Sequence, residues 1–238
     1  MSLVPRVEIV EKHHVRSLFD SIAYRYDLLN HLLSGGIDVY WRRKAIESLR
    51  ENRPKTILDV ATGTGDFALA TLRLDPERII GVDISEEMLR HGRAKLRTRR
   101  VDGLITLQTG EAEQLQFDEG VFDAAIVAFG VRNFEHLDRG LSEMHRVLRP
   151  GGKLVVLEFS RPRAFPFRQI YRFYFLTLLP LIGRVISRNR EAYQYLPDTV
   201  MGFPDGEDFL HIIERVGFLE TSARRLTFGI ASVYTGVK

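Results

Sequence analysis

The feature that most constrains the fold is a glycine-rich turn that follows a short apolar strand. Thr56 to Val60 has the apolar character of a buried strand, the turn Gly63-Thr64-Gly65 comes next, and a helix is predicted to begin near Asp66. Glycine lets the backbone turn tightly and lets a ligand approach without meeting a Cβ atom. The pattern predicts a strand-turn-helix unit that binds a nucleotide-like ligand, although a plain turn that uses glycine has the same local sequence.

The same alternation of strand and helix continues through the middle of the chain. Further apolar strands are predicted at 78–83, 104–109, 122–129 and 153–159. Helical segments separate them, one beginning after Ser85 as N-cap and one covering Leu141 to Leu148 until Pro150-Gly151-Gly152 stops it. Nearly continuous apolar strands that alternate with helices are typical of a parallel sheet covered on both faces, with right-handed crossovers.

The end of the chain has a different pattern. The predicted strands 220–226 and 230–237 are separated only by Thr227-Phe228-Gly229, a spacing that suits a hairpin. We therefore predict an α/β fold, a doubly wound, mostly parallel Rossmann-like sheet with an antiparallel C-terminal strand. It forms a single domain over 1–238, with an N-terminal helical cap at 1–50 and a helical lid insertion at 161–205.

Length, composition and charge limit the partners and the cellular location that we expect for the protein. A length of 238 residues suits one α/β domain, and the lack of cysteine excludes disulfides and thiolate catalysis. A net charge of +3 is small for a nucleic-acid binder, so no nucleic acid is expected. The longest uncharged stretch, Phe173 to Gly183, is shorter than the roughly 20 residues that span a bilayer, and the first residues lack a signal-peptide core. The expected location is cytoplasmic. The seven histidines are scattered, and no metal site is predicted.

Asp83 ends the second strand and leaves the type of cofactor open. It stands 20 residues after Gly63, and Gly63-x-Gly65-x-x-Ala68 satisfies the relaxed dinucleotide fingerprint. A carboxylate at this place can accept hydrogen bonds from the ribose hydroxyls of NAD or of S-adenosylmethionine, and it can also cap a helix. Asp83 therefore indicates a ribose without deciding between the two cofactors.

Asp59, four residues before Gly63, favours S-adenosylmethionine. That cofactor carries a sulfonium and an ammonium group, whereas a dinucleotide presents an anionic pyrophosphate at the glycine turn. A nearby carboxylate attracts the cations and repels the pyrophosphate by a few kcal/mol at about 4 Å in a partly buried site. Asp66 adds to this attraction, unless it serves only at the helix start.

Longer stretches of sequence support the same interpretation. The strings Leu58 to Asp66 and Arg146 to Leu154 resemble the first motif and the turn before the fifth strand of class I methyltransferases. More specific strings stand at 24–30, 34–37, 41–42, 129–133, 157–160, 193–197 and 226–231. They are similar to the ubiquinone/menaquinone biosynthesis C-methyltransferase family, and the resemblance covers nearly the whole chain.

The resemblance implies methylation of a ring carbon of a polyprenylated benzoquinol or naphthoquinol, with S-adenosylmethionine as donor and a lipid quinol as partner. Beside Asp59 and the glycines Gly63 and Gly65, the family's cofactor contacts correspond to Thr64, Asp83 and the pair Glu111-Ala112. Glu111 departs from the family, whose members often have Asp or Asn there, so the adenine-side contacts are less firmly assigned than the ribose contact.

Arg132, Asn133 and Tyr26 are the candidate catalytic residues. A ring carbon is a weak nucleophile until the neighbouring hydroxyl loses its proton, so the site should stabilise a phenolate-like anion. Arg132, just beyond the fourth strand, is placed to lower the pKa of that hydroxyl or to orient a water molecule that takes the proton. Asn133 and Tyr26 are candidate hydrogen-bonding partners. The alternatives are a surface salt bridge for Arg132 and structural roles for the other two residues.

The segment 165–190 is rich in aromatic residues interleaved with arginines, which is typical of a peripheral membrane contact that would let a prenylated substrate enter. A homodimer contact or internal packing would use the same residues. Three other functions stay open: methylation of another small aromatic, a nicotinamide-dependent reductase, and a non-catalytic lipid-binding or RNA-binding module.

Overall fold

The computed structural model describes residues 12–25, 34–174, 177 and 190–238. Tyr26 and most of the stretch from 175 to 189, including Phe175, lie outside these residues. In the described part of the chain, no helix combines the length and the apolar character needed to cross a bilayer.

The centre of the molecule is a seven-stranded sheet in the order β3-β2-β1-β4-β5-β7-β6. Its strands are β1 (Thr56–Val60), β2 (Arg78–Asp83), β3 (Ile105–Thr109), β4 (Phe122–Ala128), β5 (Leu148–Phe159), β6 (Leu219–Leu226) and β7 (Ala231–Val237). The first five strands are mutually parallel, and β7 is antiparallel to both of its neighbours, β5 and β6. The predicted doubly wound sheet with an antiparallel C-terminal strand is thus confirmed.

Helices cover the sheet. In the described residues they are α1 (Lys12–Ile22), α2 (Ile37–Glu47), α3 (Asp66–Thr71), α4 (Glu86–Arg99), α5 (Leu137–Val147), α6 (Phe167–Phe173), α7 (Arg190–Gly202) and α8 (Glu207–Arg215). The hydroxyl of Ser85 accepts a hydrogen bond from the Met88 amide and caps α4, as predicted. α6 and α7 lie within the predicted lid, and α1 and α2 within the N-terminal 50 residues.

Neighbouring residues of each strand point to opposite faces of the sheet and build two separate cores. Leu58 packs on the side of α5 and α8, with Met144 and Phe209. Ile57 packs on the side of α2, α3 and α4, with Phe67. Because both faces are covered, the central strands have almost no polar residues, which is why their sequence predicted the fold class so clearly.

β5 begins earlier than the sequence predicted. We expected this strand to start at Lys153, after the helix-stopping Pro150-Gly151-Gly152, but it starts at Leu148. Leu148 pairs with Phe122 and Lys153 with Ala124, so a shift in register absorbs the extra residues of β5. A bulge of this kind lets a strand carry proline and glycine, which a regular central strand excludes.

The order of the strands places a crevice between β1 and β4. The chain runs from β1 outward to β2 and β3, then returns to β4 on the other side of β1 and continues to β5. In doubly wound sheets, ligands bind outside the carboxyl ends of the strands at this reversal.

Candidate cofactor and substrate site

A cleft of about 700 Å³ lies at the reversal of strand order, at the carboxyl ends of the parallel strands. Ala61 and Gly63 border it after β1, Asp83 after β2, and the turns after β3 and β4 complete its walls. Helix α1 lies across it and contributes Lys12, Val15 and Phe19. Of the residues predicted to form the site, the cleft is lined by Gly63, Asp83, Glu111, Ala112 and Asn133.

The backbone at the floor of the cleft adopts conformations that few residues tolerate. Gly63 and Gly65 have φ angles of 56° and 82°, in the left-handed region, and Ala61 and Phe129 share this region with φ angles of 52° and 57°. A Cβ on Gly130 would lie 2.6 Å from the Cβ of Ala61, so β1 and β4 approach this closely only because residue 130 is glycine. Non-glycine residues with positive φ cluster at ligand sites, as Ala61 and Phe129 do here.

The side chain of Asp83 links the glycine turn after β1 to the start of α4 through two hydrogen bonds. Its Oδ2 accepts a hydrogen bond of 2.7 Å from the amide of Gly63, and its Oδ1 accepts one of 2.9 Å from the amide of Ser85. Burial raises the pKa of Asp83 above its ordinary value, against these amide hydrogen bonds, which lower it. Each carboxylate oxygen keeps a second lone pair, so the group can still accept hydrogen bonds from a ribose diol in the cleft.

The charges around the cleft suit a cationic cofactor. Four carboxylates line it, those of Asp83, Glu111, Glu113 and Glu135. The ammonium group of Lys12 is the one basic group in the described lining. Lys12 Nζ lies 3.1 Å from Glu111 Oε2, 3.1 Å from Glu113 Oε2 and 3.7 Å from Glu135 Oε2. A sulfonium cofactor fits this surplus of negative charge, whereas a pyrophosphate would be repelled by it.

Asp59 lies beneath the glycine turn, outside the cleft. Its side chain is fully buried, and Oδ2 accepts hydrogen bonds from the Thr62 hydroxyl at 2.6 Å and the Ala68 amide at 3.0 Å. Oδ1 has no hydrogen-bond donor among the described residues. Burial raises the pKa of Asp59 to about 7. The structure therefore places Asp59 where it supports the turn. The carboxylates that line the cleft are the groups that a bound cation would contact.

Thr64 and Gly65 also face away from the cleft. Lys95 of α4 donates hydrogen bonds to the Thr64 hydroxyl at 3.0 Å and to Asp66 Oδ1 at 2.7 Å. Gly65 is the N-cap of α3. These contacts tie the turn to α4 from behind, and they bind the carboxylate of Asp66 to a lysine.

Arg132 is buried and paired, which the sequence did not predict. The guanidinium Nη1 lies 2.9 Å from Glu158 Oε1 and also donates to the carbonyl oxygen of Phe129. Glu158, at the end of β5, is fully buried, and it also accepts a hydrogen bond of 2.8 Å from the Phe159 amide. Burial raises the pKa of Glu158, while Arg132 opposes this. Arg132 does not line the cleft, although it directly precedes Asn133, which does, and Glu158 offsets part of its charge.

The side chain of Asn133 is hydrogen-bonded to helix α7. The hydroxyl of Tyr195, on α7, donates a hydrogen bond of 2.9 Å to Asn133 Oδ1. The backbone amide of Asn133 donates to the Gly130 carbonyl at 3.0 Å, within the short 3-10 turn Val131–Asn133. The third candidate, Tyr26, lies outside the described residues.

Sequence reasoning missed the contribution of α1 and of the residues that fix the predicted ones. Lys12, Glu158 and Tyr195 are far from their partners in the chain, and no spacing links them. The apolar spacing of Val15, Leu18 and Phe19 on α1 was the available signal that this helix covers something.

The structure also brings together Glu113, Glu135 and His136, whose ligand atoms lie within 4.8 Å of one another. The ammonium group of Lys12 already lies between the two glutamates, and we assign no metal to them.

Solved structures share this fold. A SAM-dependent methyltransferase from Thermotoga maritima matches with a TM-score of 0.65 over 93% of this chain and 99% of its own, at 19% identity. The [4+2]-cyclase SpnF matches with a TM-score of 0.64 over 94% of this chain and 95% of its own, at 16% identity. Since the fold hosts different activities, these similarities support the architecture alone.

Curated relatives are much more similar in sequence. A demethylmenaquinone methyltransferase of Bacteroides fragilis is 49% identical over 96% of this chain and 94% of the relative. A ubiquinone/menaquinone biosynthesis C-methyltransferase UbiE of Geobacter sp. strain M21 is 49% identical over 94% and 96%. Residues 7–238 match the ubiE/COQ5 methyltransferase family. The chain therefore belongs to the ubiE/COQ5 methyltransferase family.

Proposed function

We propose that the protein transfers a methyl group from S-adenosylmethionine to a ring carbon of a polyprenylated quinol, a demethylmenaquinol or a related benzoquinol. The observation that carries the proposal is an acidic cleft at the sheet reversal, in a chain about half identical to a demethylmenaquinone methyltransferase over nearly its full length. A nicotinamide-dependent reductase fits less well, because a pyrophosphate would meet four carboxylates here.

In this proposal the cofactor supplies an electrophilic methyl group on a sulfonium centre. Asp83 would hold the ribose, and the apolar side chains of Ile84, Met88 and Phe134 offer a surface for a base. The glutamates of the cleft attract the positive charge. Holding a nucleophile and the methyl group together accounts for much of the rate of such a displacement, about 7 to 11 kcal/mol in favourable cases.

The ring would lie near the turn after β4. Asn133 borders the cleft there, and Arg132 lies next to it with its guanidinium against Glu158. An amide N–H can bind the ring oxygen as that oxygen loses its proton, and the arginine charge favours the anion. The paired carboxylate of Glu158 limits that charge and fixes its position. Arg132 and Asn133 thus remain our candidates for stabilising the quinolate.

The proposed function is tested with purified protein, S-adenosylmethionine and chemically reduced demethylmenaquinone or demethylated benzoquinone of short prenyl length. We expect a product one methyl group heavier from at least one ring type, with the new methyl on carbon. Titration calorimetry should show binding of S-adenosylmethionine and none of NAD. NAD binding, or transfer to neither ring, would contradict the proposal.

The same edge of the molecule carries an exposed patch of aromatic and basic side chains, which we propose as a peripheral membrane contact. Phe165, Ile170, Phe173 and Phe228 are each more than 60% exposed, and Phe228 stacks on Phe167 at a centroid distance of 3.8 Å. Exposed arginines surround the patch: Arg163, Arg168, Arg172 and Arg225.

The position of this patch supports the membrane role. Phe228 lies in the turn before β7, and Ala231 of β7 pairs with Phe159 at the carboxyl end of β5. The patch and the cleft therefore share one edge of the sheet, as an enzyme that draws a prenylated ring from a lipid surface requires. Aromatic and arginine side chains together suit an anionic interface.

Flotation with vesicles of anionic lipid tests this contact. Phe173→Ser with Phe228→Ser should reduce bound protein several-fold. Leu219→Ser is the matched control, since Leu219 is 66% exposed but pairs with Val237 at the opposite edge of the sheet. Unchanged binding by the double variant would reject the membrane role. If the double variant keeps its lipid binding but no longer forms a dimer that the wild type forms, the patch is a homodimer contact.

A further inference from the structure

Helix α7 contacts Asn133, a residue that borders the cleft, through one side chain whose role no sequence motif assigned. Tyr195 donates its hydroxyl proton to Asn133 Oδ1 at 2.9 Å. Its ring also meets the ring of His14 on α1 edge to face, at a centroid distance of 6.1 Å. Tyr195 therefore contacts both α1, which lies across the cleft, and the turn after β4.

The hydrogen bond fixes which end of the Asn133 amide is available. A primary amide has an acceptor oxygen and a donor NH2 group, and the two ends compete for the same positions when the side chain rotates by half a turn. In the structure the Tyr195 hydroxyl donates to Oδ1, which leaves the NH2 group as the end of the amide that can donate to a ligand. The backbone of Asn133 is held by its own bond to Gly130, so the side-chain amide is the part that Tyr195 controls.

Tyr195 keeps its proton under all ordinary conditions. Burial raises the pKa of its hydroxyl to about 12, although the nearby Arg132 lowers it. The hydroxyl is thus a permanent donor and is unsuited to act as a base near neutral pH. Its neighbours Arg132 and Glu158 form an ion pair with each other. Among the described residues, Tyr195 has Asn133 as its hydrogen-bond partner.

We propose that Tyr195 is a positioning residue: its hydroxyl holds Asn133 Oδ1, so that the amide NH2 group faces the oxygen of the substrate ring. This inference rests on the proposed methylation of a quinol. Because Tyr195 belongs to α7 and Asn133 to the turn after β4, this contact makes the orientation of the amide depend on the position of α7.

The test compares Tyr195→Phe, which keeps the ring against His14, with Tyr40→Phe, which removes an exposed hydroxyl on α2. Tyr195→Phe should lower kcat on the quinol about tenfold, the effect of losing one well-placed hydrogen bond, and leave the Kd of S-adenosylmethionine unchanged. Tyr40→Phe should match wild type. In an Asn133→Ala background, Tyr195→Phe should have no further effect, because its target is gone.

A kcat within twofold of wild type for Tyr195→Phe, or an equal tenfold loss in the Asn133→Ala background, would overturn the inference. A second measurement separates it from the proposed function. In protein labelled with ¹⁵N, the side-chain amide signal of Asn133, assigned by its loss in Asn133→Ala, should shift in Tyr195→Phe. If wild type methylates no quinol but the signal shifts, the proposed function fails and the positioning contact stands; an unshifted signal overturns the contact itself.

Discussion

Asp83 combines two tasks at the end of β2. It supports the glycine turn and the start of α4 through two backbone amides, and it borders the cleft where a ribose would lie. A single carboxylate can do both because each of its oxygens accepts more than one hydrogen bond.

Asp83→Asn should weaken the binding of S-adenosylmethionine about 10- to 100-fold, since hydrogen bonds to a charged group are worth about 1.5–3 kcal/mol. Titration calorimetry measures the change. Asp66→Asn is the control, because Asp66 is paired with Lys95 behind the turn, and its Kd should stay within threefold of wild type. Equal losses in both variants would mean that the turn itself had been disturbed.

Arg132→Ala should reduce turnover while the Kd of S-adenosylmethionine stays near wild type. It should also lower the free energy of unfolding by about 3–5 kcal/mol, because it leaves the buried carboxylate of Glu158 without a compensating positive charge. The double variant with Glu158→Ala separates the two effects. Chemical denaturation should show most of the stability restored, and the turnover assay should show no recovery. Recovery of turnover with stability would assign Arg132 a structural role only.

Strand ends explain which site residues could be predicted. Gly63, Asp83 and Asn133 each follow a parallel strand closely, and the carboxyl ends of such strands meet at one edge. Sequence does not show which way a side chain points or what has already bound it. Arg132 is paired with Glu158, 26 positions later, and Thr64 with Lys95, 31 positions later. Only the structure shows these partners.

At the scale of elements, the lid insertion has its two ends clamped together. Asp205 accepts hydrogen bonds from the Arg161 backbone amide at 3.1 Å and from the Arg161 Nε atom at 2.9 Å. Asp205 is buried, and the adjacent Gly206 amide donates to the Tyr234 hydroxyl at 2.8 Å. The ends of the lid are therefore fixed to each other and to β7.

Asp205→Asn should loosen this clamp, because the neutral side chain loses the ion pair with Arg161 while keeping its size. We expect limited proteolysis with trypsin to cut within 161–205 several times faster than in wild type. Glu207→Gln, an exposed neighbour at the start of α8, should be cut at the wild-type rate. Equal rates for all three proteins would show that the clamp does not hold the lid.

The elements differ in how far sequence predicts them. β1, β2 and β4 were clear because strands buried on both faces have apolar runs. The start of β5 was not, since Pro150 and the following glycines are tolerated only by a bulge that depends on β4. The position of α1 across the cleft depends on contacts distant in the chain, such as the 2.5 Å hydrogen bond from Ser85 to Asp20.

For the molecule as a whole, buried carboxylates tie stability to pH. Burial raises the pKa of Asp59 to about 7, and the pKa values of Asp83 and Glu158 are raised as well. A group whose pKa is higher in the folded protein than in the unfolded chain binds more protons when folded. Between about pH 4 and pH 7, these three carboxylates should therefore make the free energy of unfolding fall as the pH rises, whereas His145, whose pKa is lowered by burial, acts in the opposite sense.

Urea denaturation from pH 5 to pH 8 checks this expectation. Since a tenfold change in proton affinity is worth about 1.4 kcal/mol, ionising Asp59 alone costs up to about 4 kcal/mol. Asp59→Asn should be more stable than wild type at pH 8 and should show a shallower dependence on pH. Asp102→Asn, at an exposed position, should follow the wild-type curve. A wild-type stability that rises steadily from pH 5 to pH 8 would contradict the assignment.

The hydrogen bonds between Arg161 and Asp205 hold both ends of the stretch 161–205 at one point on the rim of the sheet. Tolerance of an insertion depends on how firmly the flanking backbone is buried and hydrogen-bonded. We therefore expect changes of length or composition between these two residues to leave the carboxyl ends of β1, β2 and β4 in place.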